Sequence, residues 1–172
     1  MISRLGHVGI HVHDLKESKR FYSELLGLVV TDESPELGLV FLSAQPDVEH
    51  HELLLCGGRD APPHATVIQQ ISFRCEHLED VIKLHRRLKE SEVEFDMVVS
   101  HGNAIGMYFF DPDHNRCEIY WPTGLKARQP YLEPVDLDRP PDELLAELQA
   151  SVDAHGTVGF VDPGLATAQG LR

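Results

Sequence analysis

Hydrophobic and polar residues alternate at the start of the chain and then change to a helical period. Val8, Ile10 and Val12 are apolar, and the residues between and beside them are histidine or glycine. A period of two is typical of a strand with one buried face. From Asp14 to Gly27 the apolar residues recur at helical spacing, which predicts an amphipathic helix with Asp14 as its N-cap and Gly27 at its C-terminal end.

The same pattern occurs twice along the chain. After the first strand and helix, short apolar runs predict three strands, at residues 28–31, 37–43 and 50–56. A linker rich in glycine and proline follows at residues 57–66. A strand, a helix and three further strands are then predicted, at residues 67–75, 77–90, 93–99, 106–110 and 116–121. A shift of 63 residues, which lays Leu15 on Leu78, aligns the apolar positions of the two halves and predicts a duplicated βαβββ module.

The predicted fold class is therefore α+β, with two paired βαβββ modules at residues 1–58 and 67–124. Neither four-stranded sheet could bury both of its faces alone, so we expect the modules to pair. Residues 125–172 form a C-terminal extension. Its proline-rich start predicts an extended surface segment, residues 141–154 predict one short helix, and the remaining tail is expected to be loosely ordered.

Composition narrows the class of partner. The net charge of −13 disfavours a nucleic-acid backbone or an anionic membrane as partner. No apolar run approaches the roughly 18 residues of a membrane span, and the N-terminus lacks the pattern of a signal peptide. The three cysteines have no CxxC spacing and are expected to be reduced thiols. We expect a cytoplasmic protein that acts on small molecules.

Three polar residues stand on the faces of predicted strands opposite the apolar side chains: His7, Gln70 and Glu118. If helices cover the apolar faces, these three side chains project onto the uncovered faces, which meet in a pair of modules. A histidine with a carboxylate is a donor set that suits a divalent metal. The expected architecture is a cupped sheet around such a metal site.

The run His50-His51-Glu52 adds a further ligand or a base to these candidates. Alternation places His51 on one side of the strand and Glu52 on the other, and both sides are partly apolar. The period does not decide whether His51 or Glu52 faces the site.

Four segments together resemble the vicinal oxygen chelate superfamily: LGHVGIHVHDLKESKRFYSELLGL, HHELLL, QISFRC and MYFFDPDHNRCEIYW. That superfamily includes extradiol ring-cleaving dioxygenases, glyoxalase I and the fosfomycin- and bleomycin-resistance proteins. The resemblance covers residues 4 to about 124. It implies the paired-module fold, a divalent metal and a homodimer, since small members of the group often dimerise.

The extradiol branch is the most similar in its motifs. The resemblance implies His7 and Glu118 as metal ligands, His51 as the acid–base residue, and His101 with Tyr108 as catalytic residues beside the substrate or oxygen. Two further residues are expected to contact the substrate: Asn103 and Tyr120. The implied cofactor is Fe(II), with Mn(II), Zn(II) or Ni(II) as alternatives, and the implied substrates are a small catechol-type aromatic and O2.

Gln70 departs from the extradiol pattern, which has a metal-binding histidine at this position. An amide oxygen is a neutral, harder and weaker ligand than imidazole. Its amide nitrogen would also need an acceptor, for which Ser72 is a candidate. Glyoxalase I relatives accept glutamine as a metal ligand. The alternative function is therefore a metal-dependent isomerase or lyase, whose ligands would be His7, Glu52, Gln70 and Glu118. A third possible function is non-catalytic binding of a small molecule.

Overall fold

The computed structural model describes residues 4–62 and 64–168 of the 172-residue chain. The chain forms two compact units. The first comprises Met1–Val67 and Asp111–Asn115, and the second comprises Ile68–Phe110 and Arg116–Arg172. The first three residues of the predicted first module and residues 169–172 of the predicted loose tail lie outside the described part of the chain.

The first unit contains one βαβββ module. Its elements are β1 (Val8–Val12), α1 (Leu15–Arg20) continued by a π-helical turn (Phe21–Leu25), β2 (Val29–Ser34), β3 (Leu39–Ser43) and β4 (Leu53–Gly57). The strand order is β1-β4-β3-β2, with β1 parallel to β4 and the other pairs antiparallel. The Asp14 carboxylate accepts the amide protons of Lys16 and Glu17, as predicted for an N-cap. Gly27 has φ +85°, which suits glycine at the helix end.

The second unit repeats this arrangement. It contains β5 (Ile71–Arg74), α2 (Leu78–Glu90), β6 (Phe95–Ser100), β7 (Ala104–Phe110) and β8 (Arg116–Pro122). These strands are ordered β6-β7-β8-β5, and β5 pairs parallel with β8, just as β1 pairs with β4. The predicted α+β class with two βαβββ modules is confirmed.

Two strands begin later than their apolar runs predict. The strand predicted from residue 50 begins at Leu53, because the chain turns just before the histidines: the Gln45 carbonyl accepts the amide protons of Val48 and Glu49. The strand predicted from residue 67 begins at Ile71, after a turn closed by the Ala65 amide on the Pro62 carbonyl. Both corrections place candidate site residues immediately ahead of a strand instead of inside one.

The C-terminal extension is more ordered than predicted. Strand β9 (Tyr131–Pro134) pairs antiparallel with β6, and β10 (Phe160–Val161) pairs parallel with β9. Helix α3 (Pro141–His155) is the predicted helix, but α4 (Pro163–Ala168) lies where loose order was expected. The extension thus adds strands and a second helix to the predicted one, and β9 covers β6, which would otherwise be an unpaired sheet edge, while burying Tyr131 and Leu132. In the part of the chain that the structure describes, no helix has the length and hydrophobicity needed to cross a membrane.

Helix α2 carries a buried histidine beside the extension. His85 is 7% exposed, and its Nδ1 lies 3.8 Å from the Asp138 carboxylate, too far for a hydrogen bond. Lys89 Nζ instead forms an ion pair with the Asp138 carboxylate, at 2.6 Å. Burial lowers the pKa of His85, and the positive charge of Lys89 adds to this effect, although Asp138 opposes it.

We expect His85 to make the protein less stable in mild acid. Because its pKa is lower in the native state than the unperturbed value of about 6.5, the unfolded chain binds more protons below that pH. The free energy of unfolding should therefore fall as the pH drops from 7.5 to 5.5. In His85→Gln, urea titrations at the two pH values should show a smaller fall than in the wild type, and an equal fall would contradict this assignment.

Candidate active site

Glu118 is the centre of a polar cluster in the second unit. It lies on β8 opposite Ser72 of β5 and is 7% exposed. Its Oε2 accepts hydrogen bonds from the Ser72 hydroxyl at 2.5 Å and from the Gln70 amide nitrogen at 3.0 Å. The same nitrogen also donates to Ser72 Oγ at 2.8 Å. Alternation along the sequence places Ser72 and Glu118 on one face of the sheet, as their pairing between β5 and β8 shows, and Gln70 reaches them from just ahead of β5.

The neighbouring strand leaves room for this carboxylate. A Cβ atom placed on Gly106 of β7 would lie 2.9 Å from Glu118 Oε1. Glycine at this position therefore lets Glu118 lie flat across the sheet. A larger residue would displace the carboxylate from Ser72 and Gln70.

Tyr108 and His101 extend the cluster along the sheet. Tyr108 stands opposite Glu118 in the β7–β8 register. Burial, followed by the interaction with the Glu118 carboxylate, raises the pKa of Tyr108 well above its usual value of about 10. His101 Nε2 lies 2.9 Å from the Tyr108 hydroxyl. Tyr108, hydrogen-bonded to His101, thus lies on the strand beside Glu118.

Arg116 orients Gln70. Its Nη1 donates to Gln70 Oε1 at 3.3 Å, and its guanidinium is held by Asp96 at 2.6 Å. The guanidinium also lies 4.1 Å from the centre of the Tyr108 ring. A guanidinium can only donate and a carboxylate can only accept, so Gln70 must direct its oxygen at Arg116 and its N–H at Glu118.

Sequence reasoning missed Arg116 and Asp96. Arg116 precedes Glu118 by two residues on the same strand, so alternation places both on one face and could have identified it. Asp96 carries no such signal, because its pairing with Arg116 depends on the β6–β7–β8 order.

The donor chemistry of this cluster can be compared with that of a divalent metal site. Within residues 4–62 and 64–168, no three or more His, Cys, Asp or Glu side chains are grouped so as to hold a metal ion. Glu118 nevertheless has no ion-pair partner among the described residues, and the hydrogen bonds it receives come from neutral groups. Buried carboxylates are ordinarily paired with a cation or bind a metal. Glu118 therefore fits a divalent cation, whereas the Gln70 oxygen is engaged by Arg116.

Two predicted substrate contacts are not joined to the cluster. Asn103 is exposed in the turn between β6 and β7, and Tyr120 is half-buried two residues beyond Glu118. Neither side chain makes a hydrogen bond to another described residue. The backbone N–H of Asn103 donates to the His101 carbonyl. Their roles remain predictions.

A second cluster, of three histidines, lies in the first unit. His7 immediately precedes β1, and His50 and His51 precede β4, which is parallel to β1. The rings of His7 and His51 are 4.3 Å apart, and Nδ1 of His50 lies 3.0 Å from Nδ1 of His51. Burial, His7 and His50 lower the pKa of His51. His51 is therefore predominantly neutral at pH 7 and able to accept a proton.

The Glu52 carboxylate is hydrogen-bonded within its own loop and is not part of the histidine cluster. Its Oε2 accepts the Ala44 amide proton at 2.7 Å and the Ser43 hydroxyl at 3.4 Å, which closes the β3–β4 connection. Of the two residues that periodicity left open, His51 is the one in contact with His7.

Residues 4–119 match the Glyoxalase/Bleomycin resistance protein/Dioxygenase superfamily, and the chain belongs to it. This confirms the resemblance drawn from the sequence motifs. The match covers both βαβββ modules and ends within β8, before the C-terminal extension.

Curated relatives of this chain include dioxygenases. The chain is 30% identical to biphenyl-2,3-diol 1,2-dioxygenase 3 from Rhodococcus globerulus over 67% of this chain and 62% of the relative. It is 28% identical to the manganese-dependent 2,3-dihydroxybiphenyl 1,2-dioxygenase from Geobacillus genomosp. 3 over 74% of this chain and 41% of the relative. The chain thus spans less than two thirds of the length of either protein. A fosfomycin resistance protein from Listeria monocytogenes shares the fold, with 20% identity, a TM-score of 0.57, and coverage of 70% of this chain and 94% of that protein.

Proposed function

We propose that this protein is a metal-dependent dioxygenase that cleaves a catechol-type aromatic with O2. The observation that carries the proposal is the buried Glu118 carboxylate, which has neutral hydrogen-bond donors and, among the described residues, no cationic partner. The dioxygenase activity in the names of the curated relatives supports the same reaction. The binding of Glu52 to its own loop gives no support to the isomerase alternative, which needs that carboxylate as a ligand.

Glu118 would hold the metal, with His7 as the imidazole ligand that the resemblance implies. Fe(II) is the proposed ion and Mn(II) the first alternative, since carboxylate and imidazole donors accept both. When bound, such an ion supplies Lewis acidity and a redox couple for reaction with O2. Gln70 contributes N–H donation that orients Glu118.

The chain's own residues would move the protons. His51, whose pKa is lowered, would accept a proton from a catechol hydroxyl. Tyr108 stays protonated because its pKa is raised, so its hydroxyl can donate throughout the reaction. When a second proton, taken from solvent, occupies Nε2, His101 would return it to that hydroxyl across 2.9 Å.

The proposal is tested on untagged protein purified without added metal. Mass spectrometry should detect a divalent metal, and protein reloaded anaerobically with Fe(II) should consume O2 and catechol in equal amounts. An isomerase or lyase would act equally well without O2. Protein that retains no divalent metal at micromolar concentrations, and cleaves no catechol after reloading, would refute the proposed function.

Replacing Gln70 by histidine should raise affinity for Fe(II) and preserve O2-dependent cleavage. Imidazole is a better donor to Fe(II) than an amide oxygen, and Arg116 keeps Asp96 as its partner after the change. Metal titration of Gln70→His and the wild type measures the gain. Gln149→His, an exposed substitution on α3, is the matched control for adventitious binding. Unchanged affinity at position 70 would mean that this residue does not face the metal.

A further inference from the structure

The C-terminal extension reaches His101 through one glutamine side chain. Gln129 Nε2 donates to the His101 carbonyl at 2.8 Å, and Gln129 Oε1 accepts the Tyr131 amide proton at 3.1 Å. The amide of Gln129 thus bridges the backbones of His101 and Tyr131. Beside this bridge, His101 Nδ1 lies 3.1 Å from the Tyr131 carbonyl oxygen.

This contact determines which nitrogen of His101 carries a proton. A carbonyl oxygen only accepts hydrogen bonds, so Nδ1 must be the donor. His101 can then exchange a proton only through Nε2, the nitrogen that faces the Tyr108 hydroxyl. Whether or not Nε2 is protonated, the Tyr131 carbonyl keeps the proton on Nδ1.

The carbonyl is held in place by packing and by a polar chain. Tyr131 is fully buried, its hydroxyl lies 2.6 Å from Ser151 Oγ on α3, and Ser151 donates to Glu133 at 2.6 Å. The extension also packs closely against the turn after His101, since a Cβ on Gly102 would lie 3.3 Å from the Tyr131 ring. The bridge from Gln129 is therefore anchored on a rigid support.

We propose that Gln129 is a positioning residue: by bridging His101 and Tyr131 it fixes the Nδ1–H form of His101 and directs Nε2 at Tyr108. The residue lies outside the matched family region, which ends at residue 119. The kinetic consequence rests on the proposed function, whereas the protonation of the ring does not.

The proposal is tested first by nuclear magnetic resonance of the histidine rings. Spectra are recorded at pH 7.5 on the full ¹⁵N-labelled chain with diamagnetic Zn(II) added in place of Fe(II). His101 is assigned from the signal that disappears in His101→Gln. The wild type should show a proton on Nδ1 of His101, and Gln129→Ala should show a mixture of the two neutral forms. Gln149→Ala removes a comparable exposed amide, bonded to Asp153 at 2.8 Å, and should leave the His101 signal unchanged.

Two further variants separate positioning from loss of folding. Gln129→Glu keeps an acceptor for the Tyr131 amide but loses the donor to the His101 carbonyl, so it should shift the ring signal less than Gln129→Ala. Ser151→Ala removes the hydrogen-bond partner of the Tyr131 hydroxyl and should shift the His101 ring signal in the same direction as Gln129→Ala. Thermal melting of each variant shows whether the fold is kept. A wild-type ring with no proton on Nδ1, or a folded Gln129→Ala with an unchanged ring, would overturn the proposal.

Catechol cleavage gives the second measurement. In Gln129→Ala, kcat should fall by about 10- to 100-fold, the range for residues that orient a functional group through a hydrogen bond, while KM stays close to the wild-type value. The link between ring protonation and turnover would be contradicted by a fall in kcat with an unchanged His101 ring signal. A changed ring signal with an unchanged kcat would contradict it equally. If the wild type cleaves no catechol but Gln129→Ala still alters the His101 ring, the proposed function fails and the positioning role of Gln129 stands.

Discussion

Glu118→Gln is expected to abolish stabilisation by a divalent metal while leaving the metal-free protein folded. The amide occupies the same volume beside Gly106 and can still accept from Ser72, but it lacks the charge that attracts a cation. Wild-type protein should gain about 2.7 kcal/mol in its free energy of unfolding at a metal concentration 100 times Kd, and Glu118→Gln should gain almost nothing. The metal-free proteins should differ little, because the change also removes a buried charge that no cation compensates.

Urea titrations with and without Fe(II) or Mn(II), under anaerobic conditions, measure both quantities. Glu24→Gln, an exposed substitution on the helical segment after α1, controls for a general effect of net charge. Catechol cleavage should be lost together with the metal effect. A variant that keeps the full stabilisation by metal would remove Glu118 from the set of ligands and, with it, the observation on which the proposed function rests.

The face of the sheet that carries Glu118 was predictable because strand alternation is a local property. Once β5 and β8 are strands, a period of two places Ser72 and Glu118 on one side, and burial of Ile71 and Cys117 decides which side that is. The α1 cap at Asp14 was predictable for the same reason, since it involves residues two and three positions apart.

The surroundings of His101 were not predictable in the same way. The resemblance places His101 near Tyr108, and these residues are seven positions apart in a hairpin. The partner of Nδ1, however, is a backbone carbonyl of Tyr131, and every residue has such a group. Its position depends on β9 pairing with β6, a contact between segments about thirty residues apart, so no pattern of side chains indicates it.

The early start assigned to β4 has a related cause. A run of His50 to Cys56 has the composition of a strand, but the Gln45 carbonyl draws two amide protons into a turn just before it. The histidines consequently precede the strand: the His51 ring lies against His7, and His50 lies against His51. Periodicity could not choose between His51 and Glu52 because it assumes a strand at these positions.

Tyr108→Phe is expected to lower kcat for catechol cleavage by about 10²- to 10⁴-fold, the range for loss of a proton-transferring side chain, with metal content unchanged. The hydroxyl is the only part removed, and the ring can remain beneath the Arg116 guanidinium. His101 Nε2 loses its hydrogen-bond partner, so the free energy of unfolding should also fall, by about 1–3 kcal/mol. Because the pKa of Tyr108 is raised, wild-type activity should show no loss from its ionisation at any pH below about 10.

A double-mutant cycle with His101→Gln shows whether the two residues act as one proton path. If protons pass from His101 Nε2 through the Tyr108 hydroxyl, removing either group interrupts the same route, and removing both should cost little more than the larger single loss. Independent roles would instead multiply the two losses in kcat. Metal content and the ¹⁵N spectra of the remaining histidines should match the wild type in all three variants. Multiplied losses, with metal retained, would leave Tyr108 and His101 as separate contributors and contradict a proton path from His101 through Tyr108.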